Sequence, residues 1–111
     1  MSLASYTVLI SEHSRIPADD ASWSIDGFPS LDLATEFARR WTRDSLEGNR
    51  SQDREATRAS WSHWGENALV YGEAGAILYN ARDEIEFFLD HPATVEERDW
   101  KAVKKRAGLD S

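Results

Sequence analysis

The stretch Ser30–Gly48, with the sequence SLDLATEFARRWTRDSLEG, predicts an amphipathic helix that guides the interpretation of the rest of the chain. Ser30 is a typical N-cap residue, and Asp32 suits the positive end of a helix dipole. Apolar and small side chains recur three or four residues apart and so share one face: Ala34, Phe37, Ala38, Trp41 and Ser45. Because glycine often ends a helix, we place this element at Leu31–Glu47.

Two strands are predicted before this helix. Tyr6–Ile10 is rich in apolar and β-branched side chains. Ala21–Phe28 alternates Trp23 and Ile25 with polar residues, which is the pattern of a strand with one buried face. The polar stretch Ser11–Asp20 is therefore expected to be the loop of a hairpin between the two strands.

Further elements are predicted after the helix. A second helix is placed at Glu55–Trp64, and a hairpin is placed at Asn67–Gly72 and Gly75–Asn80. The segment Glu84–Leu89 is compatible with a helix or a strand, and a helix is favoured because its apolar residues recur at helical spacing. The capping box Thr94–Glu97 predicts the start of a last helix.

The predicted element order, β-β-α-α-β-β-α-α, indicates an α+β fold. We expect a small antiparallel sheet of about four strands with helices packed on one face. A chain of 111 residues has room for one domain, residues 1–111. Five Trp, three Tyr and four Phe predict an aromatic-rich core. The absence of cysteine excludes disulfide scaffolds, thiol nucleophiles and thiolate metal sites.

Composition also limits the partners and the location. No apolar run is long enough to span a membrane, and the first residues lack the pattern of a signal peptide, so a cytoplasmic protein with no membrane partner is expected. The formal net charge of −7 argues against binding to nucleic acid, because contacts to the phosphate backbone need clustered cations.

The negative charge is concentrated in residues 66–99, which hold nine acidic and two basic residues. This segment would be a solvated acidic face or a surface for a basic partner, with Glu84 and Glu86 as candidate partner-binding residues. Arg50, Arg54 and Arg58 would form a row on the second helix. These arginines would pair mainly with acidic residues of the same chain. The alternative is that they bind a carboxylate or phosphate ligand.

Local acidic partners are predicted for the arginines of the first helix. Their i,i+4 spacing favours the ion pairs Glu36–Arg40, Arg40–Asp44 and Arg43–Glu47.

The histidines match no catalytic or metal-binding spacing. His13, His63 and His91 are too far apart in sequence for a zinc motif, and no nucleophile elbow or phosphate loop is present. We therefore expect no catalytic residue, no metal site and no cofactor. Convergence of these histidines with carboxylates in the fold stays open, and His91 would also suit a helix C-terminus.

The segment Trp61–Glu66 is the most unusual one in the chain. Trp61 and Trp64 lie three residues apart on the predicted second helix, so they would form an aromatic platform with His63 beside it. The simpler interpretation is that both rings fill the core.

Two parts of the sequence resemble small uncharacterised bacterial proteins. An aromatic strand, Trp23–Phe28, leads into the capped and arginine-bearing helix segment Ser30–Arg40, and an aromatic-Gly-Glu turn follows in Trp61–Glu66. The similarity covers about residues Trp23–Tyr71. It implies a bacterial α+β protein and attaches no activity to any residue.

We arrive at three hypotheses for the function. The first is a non-enzymatic protein-interaction or regulatory domain, or a homo-oligomer, that uses Trp61, His63 and Trp64 or the acidic half of the chain. The second is a small-ligand-binding protein or hydrolase with a pocket lined by tryptophan and histidine. The third, a special case of the first, is an acidic neutraliser of a basic toxin or nuclease.

Overall fold

The structure, a computed structural model, describes residues 5–13 and 22–109. These residues form four strands and four α-helices. The strands are β1 (Tyr6–Glu12), β2 (Ser22–Phe28), β3 (Glu66–Tyr71) and β4 (Ile77–Asn80). The helices are α1 (Leu31–Gly48), α2 (Arg54–Trp64), α3 (Ile85–Asp90) and α4 (Trp100–Arg106). None of the described helices is long and apolar enough to cross a membrane.

The strands form one antiparallel sheet in the order β2-β1-β3-β4, which confirms the predicted α+β class. The pairs Val8–Val70 and Ile10–Ala68 point to the helices and are fully buried. The pair Leu9–Leu69 lies on the opposite face and is partly exposed. Helices therefore cover one face of the sheet, as predicted.

The N-cap and the apolar face that predict α1 from the sequence are both present in the structure. The Ser30 side chain accepts a hydrogen bond from the backbone N–H of Leu33 at 3.1 Å, so the predicted N-cap is confirmed. The buried face of α1 includes Phe37, which packs against Phe28 and Trp41. This contact joins the helix to the sheet.

Two apolar clusters make up the core. The larger one lies between the sheet, α1 and α4, and it includes Val8, Phe37 and Val103. The smaller one joins the end of α1 to α2 and α3 through Leu46, Trp61, Ala81, Ile85, Phe88 and Leu89. The aromatic-rich core is confirmed, because Trp61, Phe28, Phe37 and Phe88 are among its largest buried side chains.

Several predicted boundaries change. β1 continues to Glu12, beyond the predicted end at Ile10, because its last residues still pair with β3. β4 begins at Ile77 and not at Gly75, because the preceding residues form the turn. Of the predicted loop and second strand, residues 14–21 lie outside the described residues.

The segment after β4 is helical, as favoured from the sequence. Asn80 caps a 3-10 turn, Ala81–Glu84, and α3 follows directly. The capping box also forms, since Thr94 Oγ1 accepts from the Glu97 N–H at 3.1 Å and Glu97 Oε1 accepts from the Thr94 N–H at 2.9 Å. The box closes only a short 3-10 turn, and α4 starts later, where Asp99 caps the Ala102 N–H.

Replacing Gly65 with alanine is expected to destabilise the protein by about 1–3 kcal/mol, because the tight turn between α2 and β3 has no room for a side chain. A Cβ atom at Gly65 would lie 2.3 Å from Cδ1 of Trp61 and 2.7 Å from the Trp61 carbonyl oxygen. Urea unfolding followed by tryptophan fluorescence measures the effect.

The matched control is Gly48→Ala at the end of α1. A Cβ atom there meets nothing within 4 Å. Alanine also has the higher helix propensity, so this variant should keep or gain up to about 1 kcal/mol of stability. Equal losses in the two variants would contradict the steric explanation.

Candidate functional site

The strand β4 exposes large apolar side chains at the edge of the sheet. Ile77 is 57% exposed and Leu78 is 46% exposed. Among the described strands, only β3 pairs with β4, and the β4 sequence contains no charge and no proline. Proteins usually protect an edge strand by keeping it short or with charged residues, proline or a covering element, and of these devices β4 shows only its short length of four residues. The unprotected edge of β4 is therefore a candidate docking surface.

Acidic residues stand at both ends of this strand. Glu73 lies in the turn before β4, and among residues 5–13 and 22–109 its carboxylate accepts a hydrogen bond only from the backbone N–H of Ser5, at 3.2 Å. Asp83 lies in the 3-10 turn after β4 and is exposed. Neither carboxylate forms an ion pair with a described residue. The edge is thus flanked by negative charge.

The two tryptophans of the predicted platform lie in different environments. Trp61 is 2% exposed, and its Nε1 donates to the Glu66 carbonyl oxygen at 3.1 Å. Trp64 is 63% exposed, with the His63 ring edge-on at 4.3 Å between centroids. The platform of both rings does not form, because Trp61 fills the smaller core cluster, and the simpler interpretation that both rings fill the core holds for Trp61 and is wrong for Trp64. Trp64 and His63 remain as surface residues.

The three histidines have separate local roles. His13 Nδ1 donates to the Trp61 carbonyl oxygen at 3.0 Å, and His13 Nε2 accepts from Arg82 at 3.4 Å. His91 follows the C-terminus of α3, as its sequence context suggested, and its Nδ1 donates to the Phe87 carbonyl oxygen at 2.8 Å. Within residues 5–13 and 22–109, no three His, Asp or Glu side chains are grouped to hold a metal ion.

Glu84 is bonded within the molecule. Its Oε2 accepts from Arg39 Nε at 2.8 Å and from the Tyr79 hydroxyl group. Burial of the ring, together with the bond to Glu84, raises the pKa of Tyr79 well above its usual value. Glu84 therefore joins α1 to the end of β4, and little of its charge is left for a partner.

Glu86 is likewise paired, with Arg54 and Arg58 of α2. These hydrogen bonds lower the pKa of Glu86, and the bond from Arg54 to Asp90, at 2.7 Å, lowers the pKa of Asp90. The predicted pairing with the acidic half of the chain is confirmed for Arg54 and Arg58. Arg50 lies before α2, outside the predicted helical row, and pairs instead with Glu47 of α1.

The predicted i,i+4 pairs of α1 are confirmed only for Glu36–Arg40, at 3.6 Å. Arg43 turns instead to Glu97, at 3.2 Å, and to the His91 carbonyl oxygen, at 2.6 Å. Its expected partner Glu47 is bonded by Arg50. The prediction of local pairs at Arg43 and Asp44 is wrong, because residues brought close by the fold, Glu97 and Arg98, offer better geometry.

Two clefts open beside the segment that leads into α4. One has a volume of about 160 Å³ and is lined by Glu36, Arg39, Arg40, Arg43, Glu96 and Glu97. The other, of about 310 Å³, is lined by Asp44, Val95, Arg98 and Asp99. Neither contains a tryptophan or a histidine.

Comparison with known proteins gives no match: no family model, no curated protein and no solved structure is similar to this chain at a significant level. Function must therefore be inferred from the geometry of the chain's own residues.

Sequence reasoning missed the exposed edge of β4, the charged cleft of Arg43 and the unusual carboxylate of Glu66. Glu66 Oε1 accepts from Trp41 Nε1 at 3.0 Å, and the Glu66 N–H donates to Ser45 Oγ at 2.8 Å. Burial raises the pKa of Glu66, and the nearby carboxylates of Glu12 and Asp44 add to the shift. Glu66 thus connects β3 to α1 through two hydrogen bonds, and burial disfavours the charged form of its side chain.

Replacing Glu66 with glutamine is expected to stabilise the protein at pH 7 by less than about 1 kcal/mol, since the site is partly solvated. The amide oxygen keeps the bond from Trp41 and removes the disfavoured charge. Because the pKa of Glu66 is raised in the folded state, the free energy of unfolding of the native chain falls as the pH rises from the unfolded-state pKa, about 4.3, through the folded-state pKa.

The gain from Glu66→Gln should therefore vanish below about pH 4, where both states bind the proton. Urea unfolding of both proteins at about pH 3.5 and about pH 7 measures this difference, because the two conditions lie on either side of the titration. A variant that is less stable than the native chain at neutral pH would show that the carboxylate charge is favourable.

Proposed function

We propose that this chain is a non-enzymatic protein-interaction domain that takes an extended segment of a partner protein along β4. The observation that carries the proposal is the unprotected edge of β4, with the exposed side chains of Ile77 and Leu78. An added strand would bond to backbone groups at the outer edge of β4. Its side chains would pack near Ile77 on one face of the sheet and near Leu78 on the other, because consecutive residues of a strand point to opposite faces.

The charge near β4 supports a basic and apolar partner. Glu73 and Asp83 stand at the two ends of the strand without ion pairs to described residues. Lysine or arginine side chains that flank an apolar partner strand would meet these carboxylates. The net charge of −7 would also speed the encounter with a basic partner.

The same charges oppose the alternative occupant, a second copy of the chain. Antiparallel pairing of two β4 strands would place the Glu73 end of one copy beside the Asp83 end of the other. Like charges placed opposite each other destabilise a pair of strands. A partner of different sequence therefore fits the edge better than a homodimer does.

The other hypotheses differ in the support that they receive from these contacts. Neutralisation of a basic toxin or nuclease would be one form of the proposed interaction. A pocket for a small ligand or a hydrolase site built on tryptophan and histidine has less support, because Trp61 is buried and His13 uses both ring nitrogens locally. The bacterial resemblance and the cytoplasmic location stay predictions.

The proposal is tested by NMR titration of the ¹⁵N-labelled chain with peptides of about eight residues, the length of a typical strand. A peptide with valines in its centre and lysines at both ends should shift the backbone amide signals of Ile77–Asn80 at low salt. A glutamate–valine peptide should not shift them, because Glu73 and Asp83 repel it. Binding should weaken as salt is added.

Leu78→Lys should weaken binding of the lysine–valine peptide at least about tenfold, because it adds a repelling charge and removes an apolar contact. The matched control is Val95→Lys, at an apolar residue that is 87% exposed and lies outside β4. Equal shifts with both peptides, or none in β4, would refute the proposal. Dimerisation of the free chain that Leu78→Lys abolishes would assign the edge to a second copy.

A further inference from the structure

The cleft beside Arg43 is built from charges of both signs, which is unusual for a surface groove. Three arginines of α1 and three glutamates line a volume of about 160 Å³. Arg39, Arg40 and Arg43 recur at spacings that place them on one side of α1. The acidic lining comes from Glu36 of the same helix and from the segment before α4.

The base of the cleft is held in place by Arg43. Its guanidinium lies 5.0 Å from the centre of the Phe88 ring, and it donates to Glu97 and to the His91 carbonyl oxygen. The side chain is buried, and its Nε atom has no hydrogen-bond partner. Arg43 is therefore a fixed cation, paired with Glu97, that keeps one N–H donor unused.

Arg40 is the cation of the cleft with the weakest contacts, and its side chain is 18% exposed. Its contacts are long, at 3.2 Å to the Asp99 carbonyl oxygen and 3.6 Å to Glu36. A guanidinium offers five N–H donors in a planar fork that matches a carboxylate. Arg40 and Arg39 thus present donors at the cleft that their present contacts do not use.

The acids of the cleft are not equivalent. Glu36 is bonded by Arg106 and approached by Arg40, and Glu97 is bonded by Arg43 and the Thr94 N–H. Glu96 is exposed and forms no ion pair with a described residue. One carboxylate at the cleft is therefore open to a cationic group.

We propose that this cleft binds a small zwitterionic amino acid. The ligand carboxylate would be held by Arg40 and Arg39, and its ammonium group by Glu96. A bare anion suits the cleft less well, because the molecule carries a net charge of −7. The cleft volume of about 160 Å³ leaves room for an amino acid with a short side chain.

This inference does not depend on the proposed function, because no residue of the cleft belongs to β4. The test is NMR titration of the ¹⁵N-labelled chain with L-alanine, and with acetate, ethylammonium and inorganic phosphate as separate probes. L-Alanine should shift the amide signals of residues 36–43 and 96–97. It should bind at least about tenfold more tightly than acetate or ethylammonium, since it uses both charges of the cleft.

Glu96→Gln should weaken L-alanine binding about tenfold and leave acetate binding unchanged or stronger. The matched control is Asp32→Asn, which removes one charge from an exposed acid elsewhere on α1 and should change neither affinity. Arg40→Gln should weaken both ligands, with the thermal unfolding midpoint measured to confirm that the variant is folded.

Absence of L-alanine binding would overturn the proposal. So would acetate or phosphate binding as tight as that of L-alanine and unaffected by Glu96→Gln, because the cleft would then be a simple anion site. The probe comparison uses the native chain, so it decides the question even if Arg40→Gln does not fold.

Discussion

Ion pairs between the arginines of α1 and α2 and the acidic second half of the chain determine how charge is distributed around the two apolar clusters of the core. Residues 66–99 carry nine acids, which would repel one another in a compact state. Arg39 and Arg54 compensate this charge at Glu84, Glu86 and Asp90, so α3 can pack its apolar face against α2 and Leu46. Each exposed pair contributes little alone, and the pairs matter as a set that fixes where α3 lies.

The same pairing decides which charges remain for other molecules. Sequence composition suggests one broad acidic surface, whereas the fold reduces it to a few open carboxylates. Glu73 and Asp83 flank the edge strand β4, and Glu96 stands at the cleft of α1. Exposed apolar area at β4 and mixed charge at the cleft make these two places chemically different. The molecule therefore offers an extended surface and a small site that would select different kinds of ligand.

Local features were predictable from the sequence and long-range ones were not. The cap at Ser30, the helical 84–89 segment and the element order depend on neighbouring residues, so their patterns are visible in the sequence. Trp61 and Trp64 project only about 60° apart on a helix, so periodicity alone does not show that one is buried and the other exposed. The partner of Arg43 and the edge position of β4 depend on residues that are distant in sequence, for which no local signal exists.

The position of β1 in the sheet has a consequence for the order of folding. β1 pairs with β2 through a nearby hairpin and with β3 through residues at least about fifty positions later, with α1 and α2 in between. Closing this long loop costs chain entropy before the sheet can bury its inner face. During synthesis, the backbone groups along one edge of β1 therefore stay unpaired until β3 has been synthesised. The central pairing of the sheet can thus form only after more than half of the chain has been synthesised.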